Sequence, residues 1–280
     1  MNLAFYRRTA RLLRRGRSVV VATLVERHGS TPRDFGAKML IADDGSTAFS
    51  IGGGAFEALV VDDARHALAM GKGFEKSYRF AEEGDDALGM VCGGQARVLF
   101  EVVRPPQRLF VFGAGHIGTA LVRQGIRLGF QVTLADDRPH LLDPSRHPRG
   151  VALVRVEHDF LEGLPAIPAG AYVAIVTRCH RTDLAVVRHA VGGGADYVGL
   201  IGSRRKVEVV KERARQAGVS DLALAELRAP IGLPIGAETP EEIAVSIAAE
   251  MVAVLRRAGA RSGAANITPL QPGRHRRRTT

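Results

Sequence analysis

The chain has 280 residues, 46% of them hydrophobic and 24% charged, which suffices for two globular domains and excludes a disordered or low-complexity protein. The net charge of +10 is carried by the two ends: residues 1–17 and 261–280 hold six and five arginines and no acid, together +11. Residues 18–260 are therefore close to neutral, and the body of the protein is expected to bind no nucleic acid. Two cysteines make no disulfide framework, and the longest uncharged run, residues 163–177, is short and broken by Pro165 and Pro168. These features predict a cytoplasmic protein with no membrane span.

In chain order, residues 3–15 predict an amphipathic helix, with Leu3, Tyr6, Ala10 and Leu13 on one face. An Arg-rich start also fits a mitochondrial presequence, but the run through Gly16 into the apolar strand Ser18–Glu26 favours a structural helix. The loop after this strand holds Ser30 and Thr31 beside Gly29, and Met39–Ala42 predicts a second strand. Gly52, Gly53 and Gly54 then run into a helix near Ala55. Such a turn is either a flexible joint or a cradle whose backbone N–H groups hold an anion. Ser77–Phe80 and Ala96–Val103 predict further strands, and Cys92 lies between them beside Gly93 and Gly94. A free cysteine is commonly a small buried hydrophobe, but a thiol against a glycine turn is also how reactive sulfur is presented. Arg104-Pro105-Pro106 reads as a linker.

Leu109–Phe112 predicts a buried strand, followed by Gly113, Gly115 and Gly118 in G-x-G-x-x-G spacing, a helix closed by Gly129, a strand at Gln131–Ala135, and Asp136 and Asp137 at its carboxyl end. This is the order of a dinucleotide-type site. Gly113 permits the tight turn, Gly115 a close approach to phosphate and Gly118 close helix packing, while the acid reaches a ribose hydroxyl. The glycines serve packing equally well if the ligand is something else. Val151–Val156, Ala171–Thr177 and Tyr197–Ile201 predict three more strands. Cys179, His180 and Asp183 follow the second of these, where open α/β sheets bind ligands, although Asp183 and Thr182 also suit a helix cap. Gly202 and Ser203 open a helix that carries Arg204, Arg205 and Lys206. Thr239, Pro240 and Glu242 mark the start of a last helix that runs to about Gly259.

The predicted fold is α/β: an N-terminal α+β domain (residues 1–103), a linker (104–107), a Rossmann-like doubly wound parallel-sheet domain (108–260) and a basic, disordered tail (261–280). No zinc-type motif, P-loop or nucleophile elbow is present in the sequence.

The blocks GSTPRDFGAKML, SIGGGAFE, MVCGG, VFGAGHIG, TRCHRTDLAVVRHA, YVGLIGSRRKVEVVKERARQAGV and IGLPIGAETPEEIAVSIAAE resemble the XdhC/CoxI family of accessory proteins of xanthine dehydrogenase and related molybdenum hydroxylases. They cover most of residues 18–255. Ala55 and Phe56 stand between Gly54 and Glu57, where the CoxI-like branch carries a cysteine, so the chain looks like the XdhC branch. The resemblance implies a cytoplasmic homodimer that is an accessory protein rather than an enzyme. Such a protein binds molybdenum cofactor, shields it, supports its sulfuration with a cysteine desulfurase, and delivers it to apo xanthine dehydrogenase. It further implies that the cofactor is held by Ser30, Thr31, Gly52, Gly53, Gly54, Glu57, Cys92, Gly113, Gly115, His116, Gly118, Asp136, His180, Gly202 and Ser203. Cys92 is the implied molybdenum contact, Cys92 and His180 are the candidates for chemistry, and Cys179 is the fallback thiol. The alternative from another class is an NAD(P)-dependent oxidoreductase, or a protein holding another nucleotide, that uses the glycine turn directly with His116 or His180 as acid/base.

Overall fold

The computed structural model describes residues 3–28, 33–80 and 94–261. Ser30, Thr31, Cys92 and the basic tail from residue 262 lie outside the described residues. The chain divides into two compact units, one reaching to Arg104 and the other Pro105–Arg257.

The first unit is built on an antiparallel sheet of β1 (Val19–His28), β2 (Lys38–Ala42), β3 (Thr47–Ala48), β4 (Phe74–Arg79) and β5 (Gln95–Val103), in the order β3-β2-β1-β5-β4. Central β1 is apolar without alternation because both faces of the sheet are covered. Val20, Ala22 and Leu24 pack with Phe56, Val60, Ala64 and Ala67 of α2 (Gly54–Met70). Val19 and Val21 pack with Phe5 and Leu12 of α1 (Leu3–Arg14), the two buried residues of an Arg-rich helix. The two-residue β3 was not foreseen, since a pair of residues carries no alternation to detect.

The second unit is a parallel sheet of β6 (Arg108–Phe112), β7 (Gln131–Asp136), β8 (Ala152–Arg155), β9 (Tyr172–Ile175), β10 (Tyr197–Leu200) and β11 (Leu227–Arg228), in the order β11-β10-β9-β6-β7-β8. All its strand pairs are parallel. One face is covered by α3 (His116–Arg127) and α7 (Pro240–Arg261), with Leu121 and Val122 packed beside Ala244, Ile247 and Met251. The other is covered by α4 (His180–Ala190), α5 (Arg204–Gln216) and the short α6 (Asp221–Ala225) through Val186, Val187, Val207, Val210 and Leu224. Helices on both faces of a parallel sheet make the doubly wound fold that the sequence predicts. Strand order reverses between neighbours β6 and β9, so the crevice at their carboxyl ends is the topological switch point, where this architecture binds ligands. Among the described residues no helix is long and apolar enough to cross a membrane.

Candidate functional site

Parallel pairing brings several of the predicted residues to one edge of the second unit. Gly113, Gly115, His116 and Gly118 follow β6, Asp136 ends β7, Cys179 and His180 follow β9, and Gly202 and Ser203 follow β10. Gly52, Gly53, Gly54 and Glu57 belong to the first unit.

The three turn glycines have different causes. Gly113 has φ +111°, and a Cβ there would lie 2.5 Å from the Val176 carbonyl oxygen. A Cβ on Gly118 would lie 1.8 Å from the Gly113 carbonyl oxygen, so α3 rests on the turn only because the side chain is absent. Both glycines are demanded by the fold. Gly115 is not: its backbone is extended (φ −67°, ψ −172°), open to any residue, and nothing lies within 4 Å of where its Cβ would be. It caps α3 without a side-chain hydrogen bond and faces a cavity of about 360 Å³ that His116, Thr119, Arg123 and Arg138 also line. His116 itself is exposed at the first position of the helix.

Asp136 departs from expectation. It is fully buried, and its carboxylate accepts from Ala114 N at 2.6 Å, Arg138 N at 2.9 Å, Arg138 Nε at 2.8 Å and Arg138 Nη2 at 2.8 Å. A carboxylate offers about four lone-pair sites, and these four donors fill them. Asp136 therefore closes the glycine turn onto β7 and has no acceptor left for a ribose hydroxyl. The cause is Arg138, two residues on, which folds back bidentately.

The expected anion cradle at the first unit's glycines also needs correction. Glu57 Oε1 accepts from Ser50 Oγ at 2.6 Å, Ile51 N at 2.9 Å and Gly52 N at 3.3 Å. The anion held at this turn is the chain's own, placed by one turn of α2. Burial pushes the Glu57 carboxyl up, but the Ser50 hydroxyl and the N–H groups of Ile51, Gly53 and Gly52 outweigh it and hold the group below the usual glutamate range. The depressed value means a stabilisation present above the unfolded pKa and lost as pH falls through the folded one. Glu57→Ala should cost about 1–2 kcal/mol at pH 7, as cap losses do. The cost should shrink towards pH 3, measured by urea melts of both proteins at each pH.

At the end of β9, Cys179 is the N-cap residue of α4, half-buried, and His180 is exposed beside it. The thiol pKa is lowered, chiefly by the Thr182 N–H, against burial, with help from the Thr182 hydroxyl, the Arg181 N–H and the Arg178 charge. Cys179 thus ionises more readily than a free thiol, at a helix N-terminus. Ser203 caps α5, accepting from Lys206 N at 3.3 Å, so its hydroxyl serves its own helix, and a Cβ on Gly202 would meet Lys206 Cδ at 2.8 Å.

Two ion pairs were not assigned from sequence. Asp183 is not the cap of α4. It is fully buried, accepts from Thr177 Oγ1 at 2.6 Å, and pairs with Lys206 Nζ at 2.6 Å. Burial pushes its carboxyl up against the pull of Lys206 and Thr177. Asp137 takes Arg178 bidentately at 2.5 and 2.7 Å and accepts from Asp159 N at 3.1 Å. The Arg178 guanidinium, more than any other cause, lowers its pKa to about 2. This pairing anchors Asp159, which with Phe160 has left-handed φ (60° and 62°). Lys206 and Arg178 stand 23 and 41 residues from their carboxylates, beyond any local sequence signal.

Fold and site define a Rossmann-type protein with an open glycine cradle at the switch point, joined to a separate antiparallel α+β unit. Its sequence matches the family model of the XdhC Rossmann domain over residues 109–251 and that of the XdhC and CoxI family over residues 12–79. The chain belongs to the XdhC and CoxI family. It is similar to "Uncharacterized protein YqeB" of Escherichia coli (strain K12), 34% identical over 255 residues, covering 91% of this chain and 46% of that one. It is similar to a probable xanthine dehydrogenase subunit of Bacillus subtilis (strain 168), 29% identical over 156 residues, covering 55% and 45%. It is also similar to "Molybdenum cofactor insertion chaperone PaoD" of Escherichia coli (strain K12), 26% identical over 274 residues, covering 85% and 84%. The chain spans less than half the length of the first two of these relatives.

Proposed function

We propose that this protein binds molybdenum cofactor, protects it, supports its sulfuration and delivers it to an apo-enzyme of the xanthine dehydrogenase type. The observation that carries the reading is Gly115, a bare position at a helix N-terminus that nothing among the described residues requires to be bare. A ligand phosphate held on the first N–H groups of α3 supplies the missing reason. Membership of the family, and its likeness to a protein named a molybdenum cofactor insertion chaperone, support the choice of ligand.

The cofactor is a phosphate-bearing pterin whose dithiolene holds an oxygen-sensitive molybdenum, and it supplies the redox centre of the recipient enzyme. The residues here fit such a group in two respects. The Gly115 cradle suits the phosphate. Cys179, whose thiol pKa is lowered at the same sheet edge, offers a soft ligand or sulfur acceptor. Cys92 is the other candidate for that role. The protein's own work is to bind, orient and shield. A cysteine desulfurase as sulfur donor and a homodimeric state complete the proposal. A nicotinamide oxidoreductase is the weaker reading, because Asp136 has no acceptor left for a ribose.

The test is to purify the protein under low oxygen, oxidise it, and measure pterin fluorescence and molybdenum. About one of each per chain is the expected result. A strain lacking the protein should make xanthine dehydrogenase polypeptide short of active, sulfurated cofactor. Fully active enzyme in that strain, or steady NAD(P)H oxidation by the purified protein, would overturn the reading. Cys92→Ser and Cys179→Ser, each a change of small volume, should fold normally, and at least one should reduce molybdenum retention. Wild-type retention by both would remove the thiol from the proposal.

A further inference from the structure

We propose that the groove between α3 and the loop after β7 is a second phosphate-binding site, distinct from the Gly115 cradle and lined by Arg123, Arg127 and Arg146. On α3, Arg123 and Arg127 are four residues apart and so neighbours on one helix face, a spacing at which like charges destabilise the helix. Neither has a hydrogen-bond or ion-pair partner among the described residues. Facing them, the Arg146 side chain donates, among the described residues, only to the His140 carbonyl, at 3.2 Å. His147 is nine-tenths buried, with Nε2 2.7 Å from the Leu141 carbonyl and Nδ1 without a partner among the described residues.

Arg123, Arg127, Ser145, Arg146 and His147 line one cavity of about 380 Å³. Arg123 and Arg146 also line the cavity of about 360 Å³ that begins at Gly115, so the two cavities adjoin. Two acids stand near. Glu241 lines the Gly115 end, and Asp143 is spent on the Ser145 N–H at 2.9 Å. An uncompensated arginine trio in a concave site of small-molecule size fits a phosphate monoester, which guanidinium groups bind bidentately. The near-neutral body of the chain argues against a polyanionic macromolecule there. By helical rise the Arg123 backbone is about 12 Å beyond Gly115 and that of Arg127 about 18 Å, so the two sites do not share one phosphate group. The second phosphate belongs either to the far end of the ligand seated on Gly115 or to a separate phosphorylated molecule. The site stands whether or not the first ligand is molybdenum cofactor.

The experiment is calorimetric titration of the full chain with inorganic pyrophosphate, AMP and adenosine 2′,5′-bisphosphate. Arg127→Gln, the arginine that lines only the second cavity, should weaken pyrophosphate binding at least tenfold at one site and leave the Gly115 site unchanged. Arg7→Gln/Arg11→Gln, on the exposed face of α1, controls for non-specific attraction and should have no such effect. If one ligand spans both sites, the bisphosphate binds at least tenfold tighter than AMP, and the α3 variant abolishes that preference. If two ligands bind, AMP and pyrophosphate bind together without competition. Wild-type pyrophosphate and bisphosphate binding by the α3 variant, or a loss no greater than in the α1 control, would overturn the proposal. Cofactor retention by that same variant is read separately, so a failure here is distinguishable from a failure of the chaperone reading.

Discussion

Gly118→Ala should lower the melting temperature of the protein by more than about 6 °C, while the bulkier Gly115→Val should lower it by only about 2–4 °C and abolish ligand retention. The two glycines sit three residues apart in one motif, and the difference lies in what each would meet. The methyl of an alanine at 118 would stand 1.8 Å from the Gly113 carbonyl oxygen. No rotamer relieves a backbone clash, so α3 must lift off the turn, at the upper end of overpacking costs, about 3 kcal/mol. For a unit of this size that is about 6–12 °C. Position 115 has extended backbone and nothing within 4 Å. Valine loses only the preference for glycine at an N-cap, about 1 kcal/mol. Its branched side chain would fill the space over the first N–H groups of α3, where the phosphate is proposed to sit, so cofactor retention should fall at least tenfold. Thermal melts and pterin fluorescence on both variants check this. Equal melting losses, or normal retention by Gly115→Val, would remove the cradle from the argument.

The glycine pattern was legible from its spacing alone, although its causes differ: Gly118 answers the Gly113 carbonyl five residues before it, while Gly113 answers the backbone of Val176 on another strand. The second unit's strands were legible from local pattern too: short apolar runs such as Leu109–Phe112 and Tyr172–Ile175 sit between turn residues and helical periods. Elements of a few residues, β3, β11 and α6, fell below any usable period. The site was only partly legible. Sequence placed Asp136 at the right strand end, but a carboxylate there looks the same whether it faces a ligand or its own turn. Arg138 decides the matter by folding back onto it. Glu57 was likewise visible as a polar residue near a glycine turn, and its part as the turn's own anion depended on the helix carrying it back to Ile51 and Gly52. What remained hidden was long-range pairing. Nothing near Asp137 announces Arg178, and nothing near Asp183 announces Lys206.

That last pair gives the other large expected effect. Lys206→Met should destabilise the protein by about 3–5 kcal/mol, because it leaves the buried Asp183 carboxylate without its cation. Methionine keeps most of the stem, so little packing is lost with the charge. Asp183→Asn/Lys206→Met removes both charges and should recover most of that loss, since a buried ion pair contributes little over a neutral replacement. The pH dependence has a definite sign. Burial already pushes the Asp183 carboxyl above the usual aspartate range, and without Lys206 it moves further up. An acid whose folded-state pKa exceeds its unfolded value of about 3.9 favours folding fully below that value and loses the benefit as pH rises through the folded one. The gap between Lys206→Met and the wild type should therefore narrow as pH falls from 8 towards 5, read as the difference in urea midpoints. A gap that widens on acidification, or a single variant costing under 1 kcal/mol, would mean that Lys206 does not hold this charge. The consequence reaches the site, because Asp183 ties the first turn of α4, with Cys179 and His180 at its start, to the first turn of α5. Loosening that tie lets the first turn of α4 fray, and with it the Thr182 and Arg181 N–H groups that lower the Cys179 pKa. Alkylation of Cys179 at pH 7 should accordingly slow in Lys206→Met and return towards the wild-type rate in the double variant.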